Sequence, residues 1–220
     1  MLTLPLHDLP VRSASGFLIR HVLPRSFPPQ LLGPADRREP FRILTIGDTI
    51  IGVGHGSASE FCGHYDQVIM DTLLIPDVRG KVVVLISCET AQALGPKLVE
   101  KGAASYIGFK EDFVWVMDAD LASTPWADFE YAAPVMMPVI NCVNAVLDGR
   151  TTGEAFGILI EGLSENAEVE EDELVKSCIE FNISNAVLLG DENARVRARP
   201  PMLLPFRLIP PPPILLPVRA

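Results

Sequence analysis

Two residues suited to nucleophilic catalysis each follow an apolar run of the sequence. His55 lies in the segment GVGHGS (52–57), and Cys88 lies in VVVLISCET (82–90) after a β-branched run. The thiolate is the nucleophilic form of cysteine, whereas a free cysteine is mostly protonated at neutral pH. A histidine can take the thiol proton as general base and then give it to a leaving amine as general acid. The pair therefore predicts cysteine-based catalysis by His55 and Cys88.

Backbone amides beside this pair predict how an oxyanion would be stabilised. The amide groups of Gly56 and Cys88 could cradle the oxyanion, and loss of one such donor typically lowers a rate by about 10²–10³. Glycines on both sides of His55 let the backbone approach a ligand closely. We also expect a helix to begin directly after Cys88, which would lower the pKa of its thiol.

The segments around the pair predict alternating strands and helices. In order, they are strands at 42–47, 49–54 and 81–87, a helix at 91–101 that Gly102 ends, and a strand at 103–109. This β-α-β pattern predicts a three-layer α/β fold with a mainly parallel sheet. Because ligands bind at the carboxyl ends of such strands, His55 and Cys88 are expected to face one crevice.

The second half of the sequence predicts three helices and a final strand. The expected helices are 138–147, 151–163 and 171–185, and the strand is 186–190. Thr151 and Glu154 have the spacing of a capping box at the start of the second helix. In the third helix we expect Leu174, Cys178 and Phe181 to share the buried face.

Proline marks the expected domain boundaries. Of 20 prolines, seven lie in residues 1–40 and eight in residues 200–220. Since proline-rich segments do not sustain helices or central strands, we expect an extended arm at 1–40, a globular α/β domain at 41–198, and a second arm at 199–220. Such arms could embrace another subunit, which would make the protein a homo-oligomer.

Composition excludes several classes of partner. The net charge of -10 argues against nucleic acid or an anionic membrane as the main partner. No apolar run reaches the length of about 18 residues that a membrane span needs. Pro5, Asp8 and Pro10 interrupt the apolar run that a signal peptide would require. Four cysteines without framework spacing indicate free thiols in a reducing cytoplasm.

The ordered set of motifs resembles the clan CD cysteine peptidases, which include caspases, gingipains, separase and CHAT domains. The CET at 88–90 is most similar to CHAT sequences, and LGPKLVEKGAASYIGF (94–109) is similar to the stretch after the catalytic cysteine. VLLGDENARV (187–196) resembles the GDP-containing end of these families, with Glu192 in place of the proline.

The resemblance covers about 49–196 and implies a caspase–hemoglobinase fold, a His55–Cys88 dyad and hydrolysis of peptide bonds in a peptide or protein substrate. No cofactor is implied. These families carry a fuller β-α module before the histidine strand, and residues 1–40 show no clear equivalent.

Acidic residues after the 103–109 strand predict the substrate preference. The segment 110–120 offers Asp112, Asp118 and Asp120 together with Trp115 as a wall. An acidic pocket would select Lys or Arg before the scissile bond. Glu111, Trp126, Asp66 and Asp71 are further candidates for the cleft, although all these acids could equally be solvated loop residues.

Other interpretations of the sequence use the same residues. His55, Cys62, His64 and Cys88 are all zinc-ligand types, but their spacing is a poor match to a structural site, and no metal is expected. Cys62 could be the nucleophile, although no strand-to-helix turn presents it. A catalytically inactive caspase-fold module that acts in oligomeric assembly or protein binding is the alternative to a peptidase.

Overall fold

The protein forms an α/β fold in a computed structural model, which describes residues 2–4, 8–22, 30–32 and 47–196. In chain order the elements are β1 (Leu2–Leu4), α1 (Leu9–His21), β2 (Gln30–Leu32), β3 (Thr49–Val53), β4 (Glu60–Cys62), β5 (Val68–Asp71), β6 (Val82–Ile86), α2 (Leu94–Glu100), β7 (Ser105–Phe109), α3 (Ala133–Leu147), α4 (Thr152–Val169), α5 (Glu173–Asn185) and β8 (Ala186–Gly190).

The β-branched runs form the centre of the main sheet. Within the described residues its strand order is β2-β1-β3-β6-β7-β8. Neighbouring strands are parallel except for the last pair, β7 and β8, which is antiparallel. The predicted mainly parallel sheet is therefore confirmed. β4 and β5 form a separate antiparallel hairpin, which the sequence did not predict.

Alternating side chains of β6 divide the molecule into three layers. Val82, Val84 and Ile86 pack into a core with α1, α3, α4 and α5. Val83 and Leu85 point to the opposite face, where α2 and the β4–β5 hairpin cover them. Every residue of β6 is buried. Coverage on both faces explains why this run is continuously apolar rather than alternating.

The helices of the second half are present, but their bounds and faces differ in part from the prediction: α4 continues to Val169 rather than ending at 163. The capping box of α4 is present as expected: the Thr151 hydroxyl accepts from the Glu154 amide, and the Glu154 carboxylate accepts from the Thr151 amide. α3 begins at Ala133 rather than 138, and it contains Pro138 in its interior. The buried face of α5 is formed by Val175 and Ile179, so the predicted Leu174 face is wrong.

The expectation of an extended arm over residues 1–40 is wrong where the structure describes them. Residues 9–21 form α1, and Phe17 and Leu18 are fully buried in the core. β1 and β2 add two parallel strands to the sheet beside β3. Pro10 is tolerated because it lies in the first turn of α1, where its missing N–H would have no partner within the helix.

Some expectations fall outside the described residues. These are most of the strand at 42–47 and the arm at 199–220. Within the part of the chain that the structure describes, no helix is both long and apolar enough to cross a bilayer. All four cysteines are free thiols.

Candidate active site

The register of β3 and β6 places His55 and Cys88 at one edge of the sheet. Val53 is paired with Ile86 at the carboxyl ends of these parallel strands. His55 and Cys88 each follow two residues after that pair. Two residues with the same offset from a paired position in parallel strands leave the sheet side by side. The two loops that carry them are therefore neighbours.

Close packing at Gly56 shows how near these loops approach. A Cβ added at Gly56 would lie 2.1 Å from Ser87 Oγ and 2.7 Å from the carbonyl oxygen of Cys88. Only glycine fits at such a distance. Among the described residues, no acceptor is paired with the amide N–H of Gly56 or Cys88, and the buried hydroxyl of Ser87 has no partner.

The β4–β5 hairpin holds the loop after β3 in place. The Cys62 amide donates to the His55 carbonyl over 2.8 Å, and Ser57 and Glu60 exchange backbone hydrogen bonds. The carbonyl of Ala58 accepts from the amide of Leu94 at the start of α2. These bonds anchor the His55 backbone to two other elements. They also place the backbone of Cys62 beside that of His55.

A turn, rather than a helix, follows Cys88. Glu89 has a φ of 57°, in the left-handed region, and its amide donates to the Glu111 carbonyl over 3.0 Å. The hydroxyl of the fully buried Tyr106 donates to Thr90 Oγ1 over 2.8 Å. α2 begins only at Leu94. The prediction that a helix starts directly after Cys88 is therefore wrong.

The environment of Cys88 raises the pKa of its thiol. Burial is the largest cause, because it disfavours the charged thiolate. A hydrogen bond from the Phe113 amide acts in the opposite direction, while a hydrogen bond to the Asp112 carboxylate and the charges of Asp112 and Glu89 raise the pKa further. The thiol is consequently protonated at neutral pH in this state of the protein.

Asp8 is a member of the site that the sequence analysis missed. Its Oδ2 lies 2.5 Å from His55 Nε2, across 47 positions of the chain. Its Oδ1 accepts from the Val11 amide over 2.9 Å, so Asp8 is also the N-cap of α1. The segment Asp8-Leu9-Pro10 does carry a local signal, since an aspartate before a proline in the first turn is typical of a helix start. Nothing local connects it to His55.

Asp66 also approaches His55, as its place among the cleft candidates suggested. Its Oδ1 lies 3.9 Å from His55 Nε2, at the tip of the β4–β5 hairpin, where Tyr65 and Asp66 have positive φ values. Asp71 lies at the end of β5, and its buried carboxylate accepts from the amides of Leu73 and Leu74. Its carboxylate thus caps the turn that follows β5.

The four residues considered as zinc ligands from the sequence do not come together as one set in the structure. Among the described residues, the donor atoms that lie close enough together for a metal ion belong to Asp8, His55 and Asp66. Cys62, His64 and Cys88 are not members of this group.

The predicted substrate-binding residues fall into different places. Asp112 contacts the Cys88 thiol. Asp118 caps a short 3-10 helix by accepting from the Asp120 amide, and no hydrogen bond or ion pair joins either residue to His55 or Cys88 among the described residues. Trp115 packs on Phe113, with ring centroids 5.2 Å apart. Trp126 packs on α1 at Gly16.

Solved structures of the same fold include two proteases. One is named only as a protease, with a TM-score of 0.55 and 12% identity, and it is matched over 90% of this chain and 48% of its own. The other is the Arg-specific cysteine proteinase gingipain R, with a TM-score of 0.56 and 11% identity, matched over 90% of this chain and 47% of its own. The fold is caspase-like.

The caspase-like fold agrees with the motif resemblance, and at these identities the likeness is one of fold. The chain spans about half the length of each neighbour. No known family model matches the sequence. No curated protein matches it either.

Proposed function

We propose that the protein is a cysteine-dependent endopeptidase with His55 and Cys88 as its catalytic dyad. The observation that carries the proposal is the strand register, in which His55 and Cys88 each follow two residues after the pair formed by Val53 and Ile86. The caspase-like fold and its peptidase neighbours support the same reaction class.

The proposed reaction begins with transfer of the Cys88 proton to His55. The thiolate attacks the scissile carbonyl carbon, and the oxyanion accepts hydrogen bonds from the amides of Gly56 and Cys88. The tetrahedral intermediate collapses as the imidazolium of His55 protonates the leaving amine. Water, deprotonated by His55, then hydrolyses the thioester and regenerates the thiol.

Asp8 is the positioning residue in this proposal. Its carboxylate holds His55 Nε2 while the Val11 amide fixes the other oxygen of the same group. A carboxylate in this place fixes the orientation and tautomer of the imidazole and stabilises the imidazolium that forms during the reaction. Asp8 acts through His55 and touches no reacting atom.

A preference for cleavage after basic residues is part of the proposal. Asp112 supports it best, because its carboxylate contacts the nucleophile itself. A lysine or arginine side chain of the substrate could pair with Asp112 and so remove the charge and the hydrogen bond that raise the pKa of Cys88. Asp118, Asp120 and Trp115 stay predicted members of the substrate site.

A catalytically inactive module in oligomeric assembly is the second candidate function. The raised pKa of Cys88 favours it, because burial and the nearby carboxylates of Asp112 and Glu89 disfavour the thiolate. Three apolar side chains exposed on α4 and α5 offer a contact surface of the kind that assembly would use; they are Val169, Leu174 and Phe181.

Covalent labelling tests the two candidates against each other. The purified protein is treated with peptidyl acyloxymethyl ketones that carry Arg, Lys, Asp or Leu next to the warhead, and intact mass is measured. A peptidase adds one probe mass, fastest with Arg or Lys. Cys88→Ala and His55→Ala abolish the addition.

Cys62→Ala is the matched control, because it removes a different cysteine, whose backbone amide donates to the His55 carbonyl. It is expected to leave labelling unchanged. Absence of labelling by every probe, or equal addition to all four thiols, would refute the peptidase proposal. Gel filtration of the same samples would then be the first test of the assembly module.

A further inference from the structure

Three side chains from three separate elements bring metal-ligand atoms together at the edge of the site. Asp8 caps α1, His55 follows β3, and Asp66 lies at the tip of the β4–β5 hairpin. The ligand atoms of these three residues all lie within 4.8 Å of one another. Imidazole nitrogen and carboxylate oxygen are both ordinary ligands of Zn²⁺. The donor set thus has the chemistry and number of an open zinc site.

The distances fit coordination after small movements. His55 Nε2 lies 2.5 Å from Asp8 Oδ2 and 3.9 Å from Asp66 Oδ1. Tetrahedral coordination with ordinary Zn–N and Zn–O bonds separates the nitrogen and oxygen ligands by about 3.4 Å, which lies between these two values. Shifts of less than about an ångström in each carboxylate would therefore complete three ligands.

The three side chains are accessible to solvent, and one of them is held in place by the backbone. The side chains of Asp8, His55 and Asp66 are 32%, 43% and 67% exposed, so a hydrated ion can reach all of them. Asp8 is fixed through Oδ1 by the Val11 amide, which leaves Oδ2 as the oxygen directed at His55. The net charge of -10 attracts cations to the protein as a whole.

We propose that Asp8, His55 and Asp66 form a Zn²⁺ site whose occupation switches off the dyad. The inhibitory part rests on the proposed peptidase function, while the binding part does not. A neutral imidazole has one nitrogen lone pair. When Nε2 gives that pair to the metal, the other ring nitrogen carries the proton, and the ring can no longer accept a proton from Cys88. The ion thereby removes the general base without touching the thiol.

Calorimetric titration of Zn²⁺ into the full-length Cys88→Ala protein tests binding separately from activity. One equivalent is expected to bind. Adding Asp66→Asn to that protein weakens the binding at least about tenfold, because it removes one of three ligands. The matched control is Glu165→Gln, which removes an exposed acid on α4 and leaves the affinity unchanged. Equal affinity of the Asp66→Asn protein and its parent would refute the site.

Spectroscopy with Co²⁺ separates this site from binding by cysteine. The complex is expected to lack a thiolate-to-cobalt charge-transfer band in the protein that retains all four cysteines. A strong band of that kind would assign the metal to Cys62 or Cys88 and overturn the proposal. If both binding tests succeed, Zn²⁺ should slow probe labelling of Cys88 in the wild type and not in Asp66→Asn. Labelling that is absent even without Zn²⁺ refutes the peptidase function and leaves the metal site standing.

Discussion

At the scale of single residues, the geometry around His55 explains more than its sequence motif does. The motif places an imidazole after a strand, but the contact with Asp8 and the backbone bond from Cys62 determine where its ring and main chain lie. Cys88 is different, because burial and nearby carboxylates raise the pKa of its thiol. The two residues therefore follow neighbouring strands, and the environment of Cys88 favours the protonated thiol.

Asp8→Asn isolates the positioning role. Asparagine caps a helix as well as aspartate does, so the bond to the Val11 amide and the thermal stability should be retained. If its oxygen stays on Val11, its amide NH₂ faces His55 Nε2, where a donor replaces an acceptor. We expect the maximal rate of probe labelling (kinact) to fall at least about tenfold with little change in probe affinity (KI). Weaker probe binding (a higher KI) with an unchanged kinact would contradict this role, as would a lower melting temperature with an unchanged kinact.

At the scale of elements, packing against rigid neighbours fixes the turn that carries Cys88. Tyr106 is fully buried in β7, donates to Thr90, and lies under α2 at Gly95. A Cβ at Gly95 would lie 2.7, 2.9 and 3.0 Å from three atoms of the Tyr106 ring. α2 can approach the sheet this closely only because position 95 has no side chain. The same contact links α2 to the turn through Thr90.

Gly95→Ala and Gly157→Ala form a matched pair of helix substitutions. Alanine at 157 in α4 meets no atom within 4 Å and should stabilise the protein by about 0.5–1 kcal/mol through its helix propensity. Alanine at 95 gains the same propensity but collides with Tyr106, so a net loss of about 1–2 kcal/mol is expected. Denaturant unfolding measures both values. Equal stabilisation by the two substitutions would contradict this prediction, because it would mean that the Tyr106 ring moves aside for the added methyl group at little energetic cost.

At the scale of the whole molecule, the N-terminal segment belongs to the sheet and the core. β1 lies between β2 and β3, and α1 buries Phe17 and Leu18 in the core shared with α3, α4 and α5. The same segment delivers Asp8 to His55. Fold and site therefore depend on it together.

Phe17→Ala tests that dependence. Truncating a fully buried phenylalanine should lower the free energy of unfolding by about 3–5 kcal/mol. Phe129→Ala is the control, because Phe129 is 77% exposed and its loss should change stability by less than about 0.5 kcal/mol. If Phe17→Ala unfolds with the stability of the wild type, residues 9–21 are an appendage, as the proline count first suggested.

The sequence by itself determined the central part of the fold. Continuously apolar runs predicted β3, β6 and β7. A strand that is covered on both faces has no side that faces solvent, so polar residues do not alternate with apolar ones along it. The capping box predicted the start of α4 from two residues three positions apart. These signals are local, so they can be read without knowing which elements are neighbours. Their order predicted an α/β fold with a mainly parallel sheet, and the motif resemblance implied the caspase-like architecture.

Only the tertiary structure decided which residues surround His55 and which faces are buried. Asp8 meets His55 across 47 positions because β1 pairs beside β3, and no local pattern encodes that pairing. α5 offers two adjacent apolar rows, and the neighbouring α4 and sheet select the row of Val175 and Ile179 over that of Leu174 and Phe181. Long-range pairing and the choice between similar faces depend on the free energy of the whole packed molecule, and a single segment does not contain that information.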